Sequence, residues 1–144
     1  MYGPNDNYNE LNSHFFPALI KKIHNLKNKK KKILKVWGDG KPKREVIFVE
    51  DLAEACVYFM NIKTKECIIN IGSGIDYKIL EYVKMIGKII IPNEKIKIIF
   101  DKKKPNGTPK KVLDISLARK YGWNPKIKIM DAISKTYRSY IKEI

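Results

Sequence analysis

The sequence predicts an α/β fold, because short apolar runs of strand length alternate with segments of helical periodicity. The apolar runs occupy residues 33–37, 45–49, 67–71 and 95–100, and each is followed by turn residues or by a helix signal. The chain has 144 residues, of which 44% are hydrophobic. This composition supports a folded core, and the length fits one domain or one half of a larger enzyme.

The first predicted helix begins at residues 14–16, after a turn-rich segment at residues 1–12. Pro17 fits only in a first helical turn, which sets this start. His14 therefore lies at the helix entrance, where a side chain has a fixed position beside unpaired backbone N–H groups. Apolar residues at helical spacing predict one buried stripe, consisting of Phe16, Leu19, Ile20, Ile23 and Leu26.

The middle of the chain predicts two buried strands separated by a helix. Residues 45–49 and 67–71 are largely apolar, as parallel strands covered on both faces are. Asp51 is the expected N-cap of the helix between them, with Glu54 three positions later in capping-box register. The apolar residues of this helix form a broad face, so we expect both of its sides to be packed.

Three further helices are predicted at residues 78–89, 117–121 and 131–142. Asp114 is expected to cap the second of them, and Gly122 to end it. Residues 101–111 form a loop interrupted by proline and glycine and rich in lysine.

The net charge of +15 predicts attraction to anions: nucleic acid, an anionic membrane or a phosphorylated small molecule. The simpler alternative is a lysine-rich surface without a specific partner. The run of four lysines at residues 29–32 is a weak nucleic-acid signal, because it has no interleaved aromatic residues.

The two cysteines, Cys56 and Cys67, lack metal-ligand spacing and lie in apolar surroundings. We interpret them as buried, inert thiols of a reducing compartment. No apolar run approaches the length of a membrane span, and the first residues show no signal-peptide pattern. A soluble, cytoplasmic protein is therefore expected.

No single motif predicts a complete catalytic site. Gly38-Asp39-Gly40 and Gly72-Ser73-Gly74 both lack the third glycine of a dinucleotide-binding turn, so ordinary turns are favoured. No tyrosine is followed by a lysine four positions later, and neither a metal-ligand cluster nor a Ser/His/Asp order is present.

Six segments in order are far more specific than any one motif: Tyr2-Gly3-Pro4-x-Asp6-Asn7, Asn12-Ser13-His14-x-x-Pro17-Ala18-Leu19, Val36-Trp37-Gly38-x-Gly40-x-Pro42-x-Arg44-Glu45, Phe48-Val49-x-Asp51-Leu52-Ala53, Ile69-Asn70-Ile71-Gly72-x-Gly74, and Asp101-x-x-x-Pro105-x-Gly107-Thr108-Pro109-x-Lys111-x-Leu113-Asp114. Together they closely resemble the C-terminal half of the GDP-L-fucose synthase family, which are extended short-chain dehydrogenases/reductases. The resemblance covers essentially the whole chain.

This resemblance implies an activity and a role for one histidine. The family converts GDP-4-keto-6-deoxy-D-mannose to GDP-L-fucose, by epimerisation at C3 and C5 followed by reduction of C4 with NADPH. His14 falls on the family's catalytic acid, whose cysteine partner belongs to the other half. Epimerisation beside a ketone needs a base on one face and an acid on the other. Without the resemblance, a helix-entry histidine making a structural hydrogen bond would be the simpler interpretation.

Five more residues fall on family positions that hold the GDP-sugar: Lys22, Trp37, Arg44, Asn106 and Lys111. The three cations suit a diphosphate, and arginine suits it best because its planar fork contacts two oxygens. Trp37 offers a flat wall for a sugar or base, the alternative being a core tryptophan at a strand end. The family usually has arginine at the position of Lys22 and aspartate at that of Asn106.

The resemblance also implies what this half lacks. The family's Ser, Tyr and Lys catalytic residues and its glycine-rich turn for NADP(H) belong to an N-terminal Rossmann half, which would precede Met1. We therefore expect residues 1–144 to be a substrate-binding half that is inactive alone, with Met1 and His14 at the rim of the nicotinamide site. The segment 45–61 would complete the Rossmann sheet, so its apolar faces should be uncovered and the isolated chain poorly soluble or oligomeric.

The expected partners are a GDP-sugar and either an N-terminal half or a second copy of the chain, with no specific nucleic acid and no membrane. Two alternatives remain open. One is a fragment of another nucleotide-sugar epimerase or dehydratase. The other is a basic nucleic-acid-binding module, whose affinity would fall steeply with salt.

Overall fold

A computed structural model of the chain describes residues 1–9 and 12–144, so residues 10 and 11 of the predicted N-terminal loop lie outside the described part. The elements in order are α1 (Phe15–His24), β1 (Ile33–Trp37), β2 (Lys43–Glu45), α2 (Val49–Met60), β3 (Asp76–Lys78), α3 (Ile79–Ile90), β4 (Lys97–Asp101), β5 (Lys110–Lys111), α4 (Ser116–Lys120) and α5 (Ile129–Glu143). Helices and strands alternate through much of this order, which confirms the predicted α/β class.

The strands form two small sheets. β1 and β4 pair in parallel over their full lengths, from Ile33 opposite Lys97 to Trp37 opposite Asp101. In the second sheet β2 lies in the centre, antiparallel to β3 and parallel to β5. A single parallel bridge joins Tyr2 to Phe48 outside these strands.

The main core lies where α1 packs against α3. The predicted stripe of α1 is buried over its whole length, and Tyr82, Val83 and Ile86 face it from α3. Tyr82 is fully buried, and its ring contacts Phe16 edge-on at 5.5 Å. Burial raises the pKa of the Tyr82 phenol, so the group stays protonated. Its hydroxyl donates to the Arg44 carbonyl oxygen at 2.7 Å and so ties α3 to β2.

The predicted N-cap of α2, Asp51, is wrong. α2 begins at Val49 with Phe48 as its N-cap, and Asp51 lies inside the first turn, only 4% exposed. The Asp51 carboxylate instead accepts the backbone N–H groups of Lys126 (2.9 Å) and Ile127 (3.2 Å). A buried carboxylate needs such donors, and here they come from a distant segment.

Glu54 likewise makes no capping box. Its carboxylate accepts Trp123 Nε1–H at 2.6 Å and Lys126 Nζ at 2.7 Å. These two hydrogen bonds lower the pKa of Glu54. The carboxylate therefore ties α2 to the segment that precedes α5.

The two buried strands predicted in the middle of the chain are not formed. Residues 46–48 have only the Tyr2–Phe48 bridge, and residues 67–71 belong to no strand, with Ile68 82% exposed. A strand needs a hydrogen-bonded neighbour, and apart from Glu45, the last residue of β2, neither run pairs with a described strand. The prediction of buried thiols is also wrong, because Cys56 and Cys67 are both exposed.

The prediction that α2 is packed on both sides is wrong as well. Val57 is 60% exposed and Met60 83% exposed. Ala53 and Cys56 are exposed too, and the four residues recur at helical spacing, which places them on one open apolar face.

The remaining helices lie close to their predicted positions. α3 and α5 match within two residues, and Gly122 follows α4 with a φ of +90°, as a residue that ends a helix often does. Asp114 accepts the Ser116 backbone N–H at 2.8 Å, although Ile115 is the N-cap of α4. Among the described residues, none of the helices combines the length and the hydrophobicity that a membrane span requires.

Replacing Tyr82 with Phe tests the link between the core and β2. We expect Tyr82→Phe to lower the free energy of unfolding by about 1–2 kcal/mol, because the half-buried Arg44 carbonyl oxygen loses this hydrogen bond. Urea denaturation followed by circular dichroism measures the change. Tyr121→Phe is the matched control, since its hydroxyl only accepts a 3.3 Å bond from the exposed Lys65 N–H. Equal losses in the two variants would contradict the assigned role.

Candidate functional site

A groove of about 490 Å³ opens between α1, the end of β1 and the loop after β4. It contains four of the five predicted substrate-binding residues: Lys22, Trp37, Arg44 and Asn106. Phe15, Ala18 and Leu19 form part of its apolar wall. The groove therefore brings together predicted residues that are up to 84 positions apart in the chain, from Lys22 to Asn106.

Trp37 lies at the end of β1 with 61% of its surface exposed. Residues of β1 alternate between exposed and buried, and Trp37 falls on the exposed face with Lys35. The Nζ atoms of Lys22 and Lys104 lie 5.7 and 5.3 Å from the centroid of its ring. The interpretation of Trp37 as a core residue is thus wrong, and the ring offers a flat surface flanked by two cations.

Hydrogen bonds to both the backbone and the side chain of Arg44 hold this residue in place. Its carbonyl oxygen accepts the Tyr82 hydroxyl, and its Nη1 donates to the carbonyl oxygens of Thr108 (2.5 Å) and Lys43 (2.8 Å). The same loop passes close by, because a Cβ on Gly107, whose φ is +69°, would lie 3.1 Å from Nη2. The guanidinium is therefore fixed before any ligand binds.

Lys111 is exposed and is not part of the described groove lining. It lies on β5, directly opposite Arg44 on β2. Neighbouring strands are about 4.8 Å apart, so both cations extend from adjacent positions of one sheet.

The Asn106 side chain locks two loops together. Its Oδ1 accepts the Asp39 backbone N–H at 2.8 Å. Gly38 makes this approach possible, because it has a φ of +72° and any Cβ there would overlap Asn106 Oδ1. A carboxylate, the family's usual group at this position, could accept the same N–H. The asparagine adds an Nδ2 donor.

His14 is the exposed N-cap of α1, and its side chain makes no capping hydrogen bond. The alternative of a structural hydrogen bond at the helix entrance therefore finds no support in the capping geometry. His14 itself is not part of the described groove lining, although its chain neighbours Ser13 and Phe15 are. Met1, the other residue expected near the cofactor, is exposed and lies outside the described groove lining.

The groove is positively charged. Its described lining includes Lys21, Lys22, Lys35 and Arg44 and no acidic residue. Lys21 donates to the Tyr8 carbonyl oxygen, and Lys35 pairs with Asp101 at 3.5 Å. Such a surface attracts an anion with several negative charges. The sequence did not single out Lys35 or Tyr8, although the alternation along β1 places Lys35 on the same face as Trp37.

The described residues contain no group of three or more His, Cys, Asp or Glu side chains that could hold a metal ion. A second cavity, of about 460 Å³, lies beside the groove. The two share Asn106, and the other six residues that line the second cavity do not line the groove. Lys41, Lys102 and Lys104 extend the positive surface along this cavity.

The chain is similar in sequence and in fold to enzymes named for GDP-sugars. A putative GDP-L-fucose synthase 2 from Arabidopsis thaliana is 38% identical, over 100% of this chain and 43% of its own length. A GDP-L-colitose synthase from Yersinia pseudotuberculosis is 40% identical, over 99% of this chain and 46% of its own length. A solved structure of a GDP-mannoheptose C4 reductase from Campylobacter jejuni with NADP bound is 29% identical, with a TM-score of 0.78, and aligns over 97% of this chain and 50% of its own.

The chain thus spans less than half the length of these two curated relatives. Along the part that it does span, the resemblance to GDP-L-fucose synthases is confirmed over its whole length. The pattern of the NAD dependent epimerase/dehydratase family matches residues 1–72, which are half of the 144 residues. The chain belongs to the NAD dependent epimerase/dehydratase family.

Proposed function

We propose that this chain is the GDP-sugar-binding half of a GDP-L-fucose synthase, an NADP-dependent GDP-4-keto-6-deoxy-D-mannose 3,5-epimerase-4-reductase. The observation that carries the proposal is the groove, which contains Lys22, Trp37, Arg44 and Asn106 together. Four positions chosen from family resemblance would not be expected to line one cavity if they served unrelated structural roles.

The chemistry of the groove suits a nucleotide sugar. Arg44 and Lys111 supply adjacent cations for a diphosphate, and Lys22 adds a third from α1. The exposed ring of Trp37 packs against a base or a sugar face. Asn106 Nδ2 donates to a hydroxyl, while its Oδ1 holds the loop.

His14 is the proposed acid of the epimerisation. Its side chain is exposed at the entrance of α1, between two residues of the groove lining, and makes no capping bond there. Histidine is the side chain that enzymes use most often as a general acid or base. Its cysteine partner would belong to the N-terminal half.

The N-terminal half is proposed to bind NADP(H) and to dock on the open face of α2, with Met1 and His14 at the rim of the nicotinamide site. Support comes from the exposed apolar row of α2 and from residues 46–48, which have only one strand bridge. A Rossmann sheet would supply the missing strand neighbours and cover this row. Residues 1–144 then form one substrate-binding unit, which does not catalyse the reaction alone.

The two cysteines are free and exposed, which fits the reducing conditions of the cytoplasm, where we place the activity.

The first test is GDP binding to the 144-residue chain by isothermal titration calorimetry. We expect Arg44→Gln to weaken GDP affinity about tenfold, since one charge-assisted hydrogen bond contributes roughly 1.5–3 kcal/mol. Arg138→Gln, on the exposed surface of α5, is the matched control and should change affinity less than twofold. Equal affinities of Arg44→Gln and the unaltered chain would refute the proposed site.

The second test is reconstitution. Co-expression with the N-terminal half of a related synthase should give NADPH oxidation with the keto sugar, whereas this chain alone should give none. In the active pair, we expect His14→Ala to slow epimerisation about 10²–10⁴-fold and to affect reduction of the epimerised ketone much less. Val57→Lys should prevent pairing, because it places a charge on the apolar row of α2 that the N-terminal half is proposed to cover. An inactive pair beside an active intact relative, or equal losses of both steps in His14→Ala, would contradict this assignment.

A different nucleotide sugar is the second candidate, favoured by the 40% identity to a GDP-L-colitose synthase and by the two departures at Lys22 and Asn106. A thermal-shift comparison of GDP-4-keto-6-deoxy-D-mannose with other GDP-sugars distinguishes these two candidates, and a comparison with UDP-sugars tests the choice of base. We expect GDP-sugars to raise the melting temperature more than UDP-sugars, while an RNA oligonucleotide binds only weakly at physiological salt. A UDP preference would overturn the GDP assignment, and tight sequence-specific RNA binding would favour the nucleic-acid module instead.

A further inference from the structure

The Gly72-Ser73-Gly74 turn, which resembles part of a dinucleotide-binding turn, surrounds a carboxylate of the chain itself. Glu45 Oε1 accepts the Gly74 backbone N–H at 2.7 Å. The Ser73 hydroxyl lies within donating distance of both this oxygen (3.2 Å) and the Ile75 carbonyl oxygen (3.1 Å). A Cβ on Gly72 would overlap Glu45 Oε1, so glycine is required there for the carboxylate to enter. The anion that this turn holds is therefore built into β2.

The other carboxylate oxygen of Glu45 reaches a third segment. Oε2 accepts the Leu113 backbone N–H at 2.6 Å. Leu113 lies two residues after Lys111, and on the other side of β5 the Pro109 carbonyl oxygen accepts the Lys43 N–H at 2.8 Å. β5 has only two residues, which is too short to be stable alone. These two hydrogen bonds therefore help to hold β5 against β2, together with the bond from Arg44 Nη1 to the Thr108 carbonyl oxygen.

The groups that donate hydrogen bonds to Glu45 are neutral, so Glu45 does not neutralise a cation of the groove. A carboxylate paired directly with Arg44 or Lys111 would cancel a cation that a diphosphate needs. Glu45 is instead satisfied by two backbone N–H groups, with the Ser73 hydroxyl within donating distance of Oε1. Because residues alternate along a strand, the Glu45 side chain also leaves β2 on the face opposite to that of Arg44.

We propose that Glu45 is a positioning residue of the anion site, which holds the Lys111 segment against β2 so that Lys111 and Arg44 present their charges together. This inference rests on the proposed function, because it assigns Glu45 a task in binding the diphosphate. Glu45 itself does not touch the ligand.

The first experiment needs no ligand and measures amide hydrogen exchange in the 144-residue chain. Glu45→Gln keeps the size of the side chain but replaces one acceptor oxygen with a donor. We expect exchange at Leu113 and Gly74 to accelerate at least tenfold. Glu50→Gln, which removes the same charge from an exposed pair with Lys135, should leave both amides unchanged. Unchanged protection in Glu45→Gln would overturn the inference.

The second experiment is a double-mutant cycle on GDP affinity, measured by calorimetry. We expect Glu45→Gln to weaken binding about tenfold in the unaltered chain but less than twofold in a Lys111→Gln background, because its effect passes through Lys111. Equal effects in the two backgrounds would indicate a general structural role and overturn the proposal.

Ser73→Ala, which removes the hydroxyl within donating distance of Glu45 Oε1, provides a milder variant should Glu45→Gln fail to fold. We expect Ser73→Ala to weaken GDP affinity about two- to threefold in the chain that has Lys111, and not in the Lys111→Gln background. An unchanged GDP affinity in the chain that has Lys111 would count against the inference. An unaltered chain that protects Leu113 yet binds no GDP would refute the proposed function, and with it the task assigned to Glu45. If Arg44→Gln abolishes GDP binding but Glu45→Gln leaves the GDP affinity unchanged, this inference is refuted and the proposed function is not.

Discussion

The buried phenol of Tyr82 is the contact on which the arrangement of the groove depends. Its ring packs against Phe15 and Phe16 of α1, and its hydroxyl holds the Arg44 carbonyl oxygen of β2. One side chain thus sets the distance between the helix that carries Lys22 and the strand that carries Arg44. Burial keeps the phenol protonated, so this donor is available at any ordinary pH.

Around that fixed pair, the loops are held by hydrogen bonds to named side chains. Arg44 Nη1 holds Thr108, Asn106 Oδ1 holds Asp39, and Glu45 holds Leu113. The positive charge of Arg44 is therefore preorganised, because its guanidinium is held by backbone carbonyl oxygens before an anion arrives. Preorganisation of this kind lowers the entropic cost of binding, because fewer side chains have to be ordered when the ligand binds.

The sequence predicted best those features that depend on local periodicity. The stripe of α1 and the limits of β1 follow from spacing alone, and both agree with the structure. Features that depend on distant partners were missed. Asp51 has the sequence context of a cap, but the N–H groups of Lys126 and Ile127 come from 75 and 76 residues away. The run at residues 67–71 has the composition of a buried strand, but no described strand lies beside it. The groove residues came from family resemblance, since no local pattern links Lys22 to Asn106.

A nucleoside diphosphate is proposed to bind in this groove, and chemical-shift mapping of the ¹⁵N-labelled chain is the direct test of that binding. Titration with GDP should move the backbone or side-chain signals of Lys22, Trp37, Arg44 and Lys111, while those of Val57 and Met60 on α2 stay in place. Shifts spread evenly over the lysine-rich surface, or confined to α2, would contradict the account.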